Sequence, residues 1–240
     1  WGDCIDKAQQ TGRIGTVPVE LDYPVHTGWD LGRTDDTVIW FYQVCMGEIR
    51  VIDYHASNMK DVPFYADLLR SKIKDRGFTY GMQWLPHDAR PRTLAAGGKS
   101  IFQQFNDLNT DGKLGKFAIA SRLDREEGIQ AARATFRIAW FDEEHCEDGI
   151  EALRHYHRTW DEEKKTFSTE PVHDWSSHFA DAMRYLAVGF RDYDVTVRPN
   201  SRRLDQAVGT DYNPLKIDDR DYRARYERQA NPGGQNGWWR

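Results

Sequence analysis

The stretch HTGWDLGRTDDTVIWFYQV, residues 26–44, decides how this chain is read. Residues 25–31 have the character of a strand, and a tight turn follows at LGRTDD. Residues 37–44 then return as a second strand dense in β-branched and aromatic side chains. Asp30 is carried out along the first strand, where a hydrogen-bonded backbone can fix a carboxylate well enough to hold a metal ion. EIRVIDYHAS, residues 48–57, alternates apolar and polar positions and adds a third strand, so the three form a meander.

Working outward, Asp61 is placed to cap a helix with Pro63 in its first turn. Phe64, Leu68, Leu69 and Ile73 recur at helical spacing, and Gly77 ends the helix. A buried strand over 80–85 delivers Asp88 just past its end, in MQWLPHDA. The pattern predicts helices over 100–106, 124–138, 147–162 and 175–190, with IAWF, residues 138–141, as a short strand. The order βββαβαβαα predicts an α/β chain of the ribonuclease H-like fold, a central mixed sheet flanked by helices.

A chain of 240 residues with 39% hydrophobic content can bury one sizeable core. It has no apolar run of spanning length and no signal-peptide pattern, which argues against a membrane or secreted protein. Cys4, Cys45 and Cys146 are odd in number and far apart with no CxxC pair, which fits a reducing, cytoplasmic setting. The net charge of -5 excludes a generally basic nucleic-acid binder, although a carboxylate metal site would itself add negative charge. Beyond Tyr193 the apolar periodicity is lost, giving RPNSRR, DDRDYRARYERQ and NPGGQNGWWR. The expected organisation is a lead-in over 1–26, a folded domain over 27–190 and a flexible tail over 191–240. A first residue of Trp1 leads us to expect a piece of a longer chain.

A third acid, Asp181, lies inside SSHFADAMRYLAVGF, an amphipathic helix pattern. Its neighbours Phe179, Ala182, Tyr185 and Leu186 make an unpaired carboxylate costly there. A single Asp at a strand end or on a helix is ordinarily a solvated group. The conjunction of Asp30, Asp88 and Asp181 is instead the pattern of a divalent-metal phosphodiesterase, because hard ions take oxygen ligands. Asp35 and Asp36, just past the turn, are candidates for a further ligand or a water-mediated contact, with Asp36 preferred. Asp174, His178 and Asp181 fall at i, i+4 and i+7 and share one helix face. His178 is open to three readings: ligand, orienting group or purely structural residue. Asp174 is the expected N-cap, and His87 is expected to point away from the metal.

Three other motifs fail on spacing. TLAAGGKS, residues 93–100, ends like a phosphate-binding loop and RIAWFDEE, residues 137–144, imitates its partner strand. The first required glycine is Thr93, however, and the preceding strand ends too early. DLNTDG, residues 107–112, opens like a calcium loop but has Ala118 where a bidentate acid is needed, so a polar turn is expected. DEEHCED, residues 142–148, is read as the solvated start of a helix.

GWDLGRTDDTVIWFYQ, RVIDYH, LPHDA and HDWSSHFADAMRYLA, in that order, resemble the nuclease domain of the large terminase subunit of tailed bacteriophages, over roughly Arg13 to Val188. The resemblance implies a metal-dependent endonuclease that cuts concatemeric viral double-stranded DNA during packaging, in the cytoplasm of the infected bacterial host. It assigns the catalytic acids to Asp30, Asp88 and Asp181. Two Mg²⁺ or Mn²⁺ ions are the implied cofactors, with Asp30 bridging and the other two acids each completing one side. The implied partners are an ATPase domain on the same full-length chain, the portal and the small terminase subunit. Arg33, Arg90, Arg92 and Lys99 are the candidate phosphate contacts, and Lys113, Lys116, Arg122 and Arg125 can extend the track. Two alternatives are a P-loop-like nucleotide hydrolase, carried only by GGKS and WFDEE, and a non-catalytic module docking to portal or capsid.

Overall fold

β3 (Thr37–Cys45) is buried along nearly its whole length because both of its faces are covered. Val38, Trp40 and Tyr42 enter one apolar cluster, while Ile39 and Phe41 enter another on the opposite face. That is why the strand reads as a continuous hydrophobic run rather than an alternating one. Its neighbours are β2 (Val25–Asp30) and β4 (Glu48–Ser57), both antiparallel to it, so the expected meander is present. In this computed structural model the described residues are 1–32, 35–92 and 97–196. They build a seven-stranded mixed sheet in the order β1-β7-β4-β3-β2-β5-β6, flanked by helices, as the ribonuclease H-like reading requires. The remaining strands of that sheet are β1 (Ile14–Gly15), β5 (Tyr80–Leu85), β6 (Lys116–Ile119) and β7 (Ala139–Asp142), and parallel pairs join β2 to β5, β5 to β6, β4 to β7 and β1 to β7.

Local signals set the helices. In α2 (Val62–Arg76) the Asp61 side chain accepts from the Phe64 N–H, Pro63 lies in the first turn, and Gly77 closes the helix at φ 69°. α3 (Ile101–Leu108) starts at a capping box formed by Ser100 and Gln103. α2 and α3 cover one face of the sheet through Tyr65, Leu69 and Phe105, packed with Trp29, Phe41 and Phe117. The other face carries α1 (Gly2–Gln10), α4 (Arg125–Phe136), α5 (Glu143–His155) and α6 (Trp175–Thr196), through Ile5, Ile129, Phe136, Ile150, Leu153 and Leu186.

Some expectations need correction. The helix expected over 147–162 is α5, four residues earlier at its start, and it ends at His155. Arg158–Asp161 is instead β8, paired with β9 (Thr166–Pro171) in a separate two-stranded hairpin. Leu31 is not part of the first strand. Strand β6 and residues 1–26 as structured elements were also not foreseen. The 1–26 segment folds with the rest: Trp1, Ile5, Ala8 and Ile14 sit in the core, and Trp1–Tyr193 is one compact unit. α6 continues six residues beyond the expected end at 190, and the remainder of the tail, 197–240, lies outside the described residues. DLNTDG is a polar turn held by Asn109, whose side chain accepts from the Leu114 N–H and donates to the Gly115 carbonyl. In DEEHCED, Glu143 and Glu144 are the exposed acidic first turn expected. Asp142, by contrast, is buried, capping α5 at the His145 N–H and accepting from the Val17 N–H.

α6 lies close against the sheet where β2 has no side chain. A Cβ on Gly28 would sit 2.6 Å from both the backbone nitrogen and the Cβ of Leu186. Gly28→Ala is therefore expected to lower stability by about 1–3 kcal/mol, the usual cost of overpacking, and to loosen the fit of α6. Chemical denaturation checks this, and a variant as stable as the parent would show that the helix shifts without cost.

Candidate active site

Two topological facts bring the acids to one edge of the sheet. β2 and β5 are parallel neighbours, with Gly28 opposite Trp84, so their C-terminal ends emerge together. Asp30 is the last residue of β2, and Asp88 lies in the single 3₁₀ turn His87–Ala89 that follows β5. α6 then crosses this edge on the Gly28 contact, and a second glycine, Gly189, lets its backbone rest on the Trp84 indole. His178 reaches Asp30 as a result, and Asp181 comes near enough to act on it by charge.

The contacts are specific. His178 Nδ1 lies 3.1 Å from Asp30 Oδ2, and both side chains are largely buried, with 16% and 18% of their side-chain surface exposed. Asp181 pairs with the guanidinium of Arg184, one turn further along α6. Burial pushes the Asp30 carboxyl above the ordinary range. The His178 hydrogen bond opposes this, Asp181 repulsion adds to it, and Arg184 pulls it back. The His178 imidazole is raised above its ordinary value, chiefly by its bond to Asp30 and further by the charges of Asp35 and Asp181. Asp88 is open to solvent and lies 3.1 Å from His87 Nε2, and His87 Nδ1 is 3.2 Å from the Tyr185 hydroxyl. The Tyr185 phenol is pushed up to about 12, first by burial, with Asp30, Asp181 and Asp88 all adding to the shift against Arg184. One side chain thus feels all three acids.

The three carboxylates are not drawn into a single tight group. Among the described residues, the one set of three or more potential metal donors within 4.8 Å of one another is His155, His157 and Asp174, elsewhere on the molecule. Asp174 is drawn there rather than toward Asp181, and it caps α6 at Ser176 as expected. Of the turn acids, it is Asp35 whose charge reaches His178. Asp36 is half-buried. His87 bonds both Asp88 and Tyr185, so it bridges loop and helix. Among the basic candidates, Arg90 and Arg92 are exposed in the segment after Asp88, whereas Lys99 is paired with Asp107 at 2.6 Å. Arg33 lies outside the described residues, as do residues 93–96 of the P-loop-like stretch. Its Ser100 hydroxyl is committed to the α3 cap. Arg184 and Tyr185 were missed as site residues. Their spacing of three and four from Asp181 was the available signal, because such residues share its helix face.

The fold, with this edge of acids, is that of a ribonuclease H-like domain. The chain belongs to the terminase ribonuclease H-like domain family, whose model matches residues 27–188. Among curated proteins none matches. Similar solved structures include the large terminase of the thermophilic bacteriophage D6E, 19% identical with a TM-score of 0.55. That match covers 77% of this chain and 44% of the D6E chain, so the chain spans less than half the length of that relative. The large terminase nuclease domain of bacteriophage SPP1 with bound Mn is 12% identical with a TM-score of 0.53, covering 75% of this chain and 95% of that one. The P22 large terminase nuclease domain is 15% identical with a TM-score of 0.51, covering 74% and 86%. The resemblance read from the sequence is thereby shown at the level of family and fold.

The Asp30–His178 pair sets a pH dependence. Both groups titrate above their ordinary values in the folded chain. The stability each contributes is complete below its unfolded pKa and is lost as pH rises through the folded one. In chelator, the melting temperature should begin to fall as pH rises out of the ordinary carboxylate range, through Asp30, and fall further above about 6.5, where an ordinary histidine loses its proton. His178→Gln should flatten that fall, and calorimetry across the range is the check. An equally steep fall in the variant would assign it to other groups.

Proposed function

We propose that this domain is a divalent-metal-dependent endodeoxyribonuclease that hydrolyses phosphodiester bonds of concatemeric double-stranded DNA during viral packaging. The observation that carries the reading is the hydrogen bond between Asp30 on β2 and His178 on α6, with Asp181 of the same helix acting on Asp30 by charge and the loop bearing Asp88 tied to that helix through His87 and Tyr185, in a terminase ribonuclease H-like domain. The donor set fits hard ions. Its carboxylates supply oxygen, and the buried Asp30 is held above its ordinary pKa partly by Asp181, a repulsion that a bound cation would relieve. Mg²⁺ or Mn²⁺ is the cofactor proposed, and the manganese bound by the SPP1 domain supports a divalent ion. Two such ions would supply a nucleophilic hydroxide and stabilise the leaving oxygen.

The roles of the residues follow from their places. Asp30, the most enclosed of the acids, would be the shared ligand, and Asp88 and Asp181 would complete the set from loop and helix. His178 orients Asp30 through Nδ1. Arg184 holds Asp181 in position, and Tyr185 with His87 fastens the Asp88 turn to α6. Asp36 remains the proposed outer acid, and Asp35, whose charge acts on His178, joins it as a second candidate. Arg90 and Arg92 are the phosphate contacts. By the same reading an ATPase domain belongs to the full-length chain, the portal and small terminase subunit are its partners, and the work is done in the host cytoplasm. Among the described residues no helix is long and apolar enough to cross a membrane.

Nicking of supercoiled plasmid is expected with Mg²⁺ or Mn²⁺ and not with chelator. Asp30→Asn, Asp88→Asn and Asp181→Asn should each lower it by more than about a hundredfold, beyond the loss usual for outer partners of a metal site. Circular dichroism should show each variant folded. Undiminished nicking in any of the three would remove that acid from the site.

Changing Arg90 and Arg92 to Gln should weaken DNA binding alike on all sequences and flatten its salt dependence by roughly 0.9 for each phosphate no longer neutralised. Titration at several salt concentrations tests this. An unchanged slope would place the DNA track elsewhere.

A further inference from the structure

The hairpin of β8 and β9 leaves and rejoins the body of the domain through a cluster that the nuclease reading does not use. His155 is the last residue of α5, His157 stands just before β8, and Asp174 just before α6. One donor atom from each lies within 4.8 Å of the other two. Both histidines are exposed and Asp174 is partly buried, so the cluster is open to solvent on one side.

Each of the three side chains is already held by a partner. His157 Nδ1 is 2.7 Å from the His155 carbonyl, to which it can only donate, so the neutral ring carries its lone pair on Nε2. Asp174 Oδ1 accepts from the Ser176 N–H at 2.9 Å and the Ser176 hydroxyl at 2.6 Å. Its other oxygen, Oδ2, faces His155 Nε2 at 3.3 Å. The His155 ring is stacked on Trp175, with centroids 5.5 Å apart and planes inclined by 24°. A ring nitrogen that donates to a carbonyl, leaving the lone pair of the opposite nitrogen for a metal, is the arrangement that outer partners impose on metal-binding histidines. Two imidazoles and one carboxylate suit a borderline divalent transition ion rather than Mg²⁺, and three protein ligands leave a position for water.

We propose that His155, His157 and Asp174 form a second, transition-metal site of the Zn²⁺ type, separate from the carboxylate site at the sheet edge. An ion there would join the end of α5, the base of the hairpin and the start of α6. The hydrogen bond from the Val172 N–H to the His157 carbonyl, 3.0 Å, already holds the two strands of that base together. The site stands on its own residues and does not require the chain to be a nuclease.

The test is a Zn²⁺ titration of the full 240-residue chain, stripped of metal and carrying Asp30→Asn, in excess Mg²⁺ and against a chromogenic chelator. Co²⁺ serves as the spectroscopic probe in a parallel titration. One Zn²⁺ per chain is expected, with visible Co²⁺ absorption of low coordination number. Adding His155→Ala or His157→Ala should weaken Zn²⁺ binding by at least roughly tenfold, and Ser176→Ala by a smaller factor. The histidines are exposed, so circular dichroism should show these variants folded. Asp174→Asn keeps a capping residue and should also weaken binding. Absence of Zn²⁺ binding in the parent, or affinity unchanged when both histidines are replaced, would overturn the proposal. Plasmid nicking plays no part in the readout, so a failed nuclease assay leaves this result standing and the reverse holds too.

Discussion

A helix can rest on a sheet at ordinary distance only when side chains fill the gap, and α6 does not rest at ordinary distance. Gly28 on β2 lies under the backbone of Leu186, and Gly189 on α6 lies over the Trp84 indole. These two contacts fix how far α6 sits from β2 and β5 and how it is rotated, since any Cβ at either place would meet backbone or ring. The reach of His178 and Asp181 to Asp30 follows from that spacing. A helix standing one side chain further out would leave Asp30 facing a gap with no partner for its buried carboxylate. The hydrogen bond from the Trp40 indole to the Phe179 carbonyl, 3.0 Å, pins the same helix to the centre of the sheet.

The close approach has an electrostatic consequence. It gathers like charges in a partly dry place, and the balancing cations come from the same helix: Arg184 beside Asp181 and His178 beside Asp30. Without a divalent ion the cluster leans on these two groups: burial and then Asp181 raise the Asp30 carboxyl against their pull, and the bond to Asp30 helps His178 keep its proton. The site is thus held together in the absence of metal while remaining short of positive charge. Asp88 is different in kind. It is exposed on a turn and is tied to the cluster only through His87 and Tyr185, so its position depends on the loop more than on the core.

The central strands were legible because their signal is strong: β3 is apolar on both faces, and β4 follows after a two-residue turn. α2 was legible through its two caps, and Asp30, Asp88 and Asp181 through their settings in strand end, loop and apolar helix. What escaped has physical causes. β6 is four residues long and opens at an exposed lysine, too short for a period to register. β8 and β9 are polar and exposed, so nothing in RTWD or TFSTEP alternates against a core. The helix pattern of α5 has no visible stop at His155 because the chain continues polar there. α1 owes its place to Trp1, Ile5 and Ala8 meeting α4 and α5 across a long sequence separation, which no local window contains. The share of the site held by Arg184 and Tyr185 was within reach of helical spacing. The action of the Asp35 charge on His178 was not, since it depends on how the chain folds back toward α6. The pairing of His155 and His157 with Asp174 was also out of reach, because it needs the hairpin to fold back on α6.

α6 carries acids toward two places of different chemistry. At its start Asp174 turns to a pair of imidazoles, and two turns later Asp181 joins Asp30 at an edge supplied with carboxylates. Had Asp174, His178 and Asp181 shared one centre, as their spacing allows, that centre would have mixed nitrogen and oxygen donors and favoured late transition ions over Mg²⁺. The structure separates them instead. Asp174 is held by Ser176 and faces His155, while the Nδ1 of His178 is engaged with Asp30 Oδ2. With His178 used to orient a carboxylate, the sheet edge keeps an all-oxygen donor set of the kind that Mg²⁺ and Mn²⁺ accept. Softer ions would then find their better match at the start of the same helix.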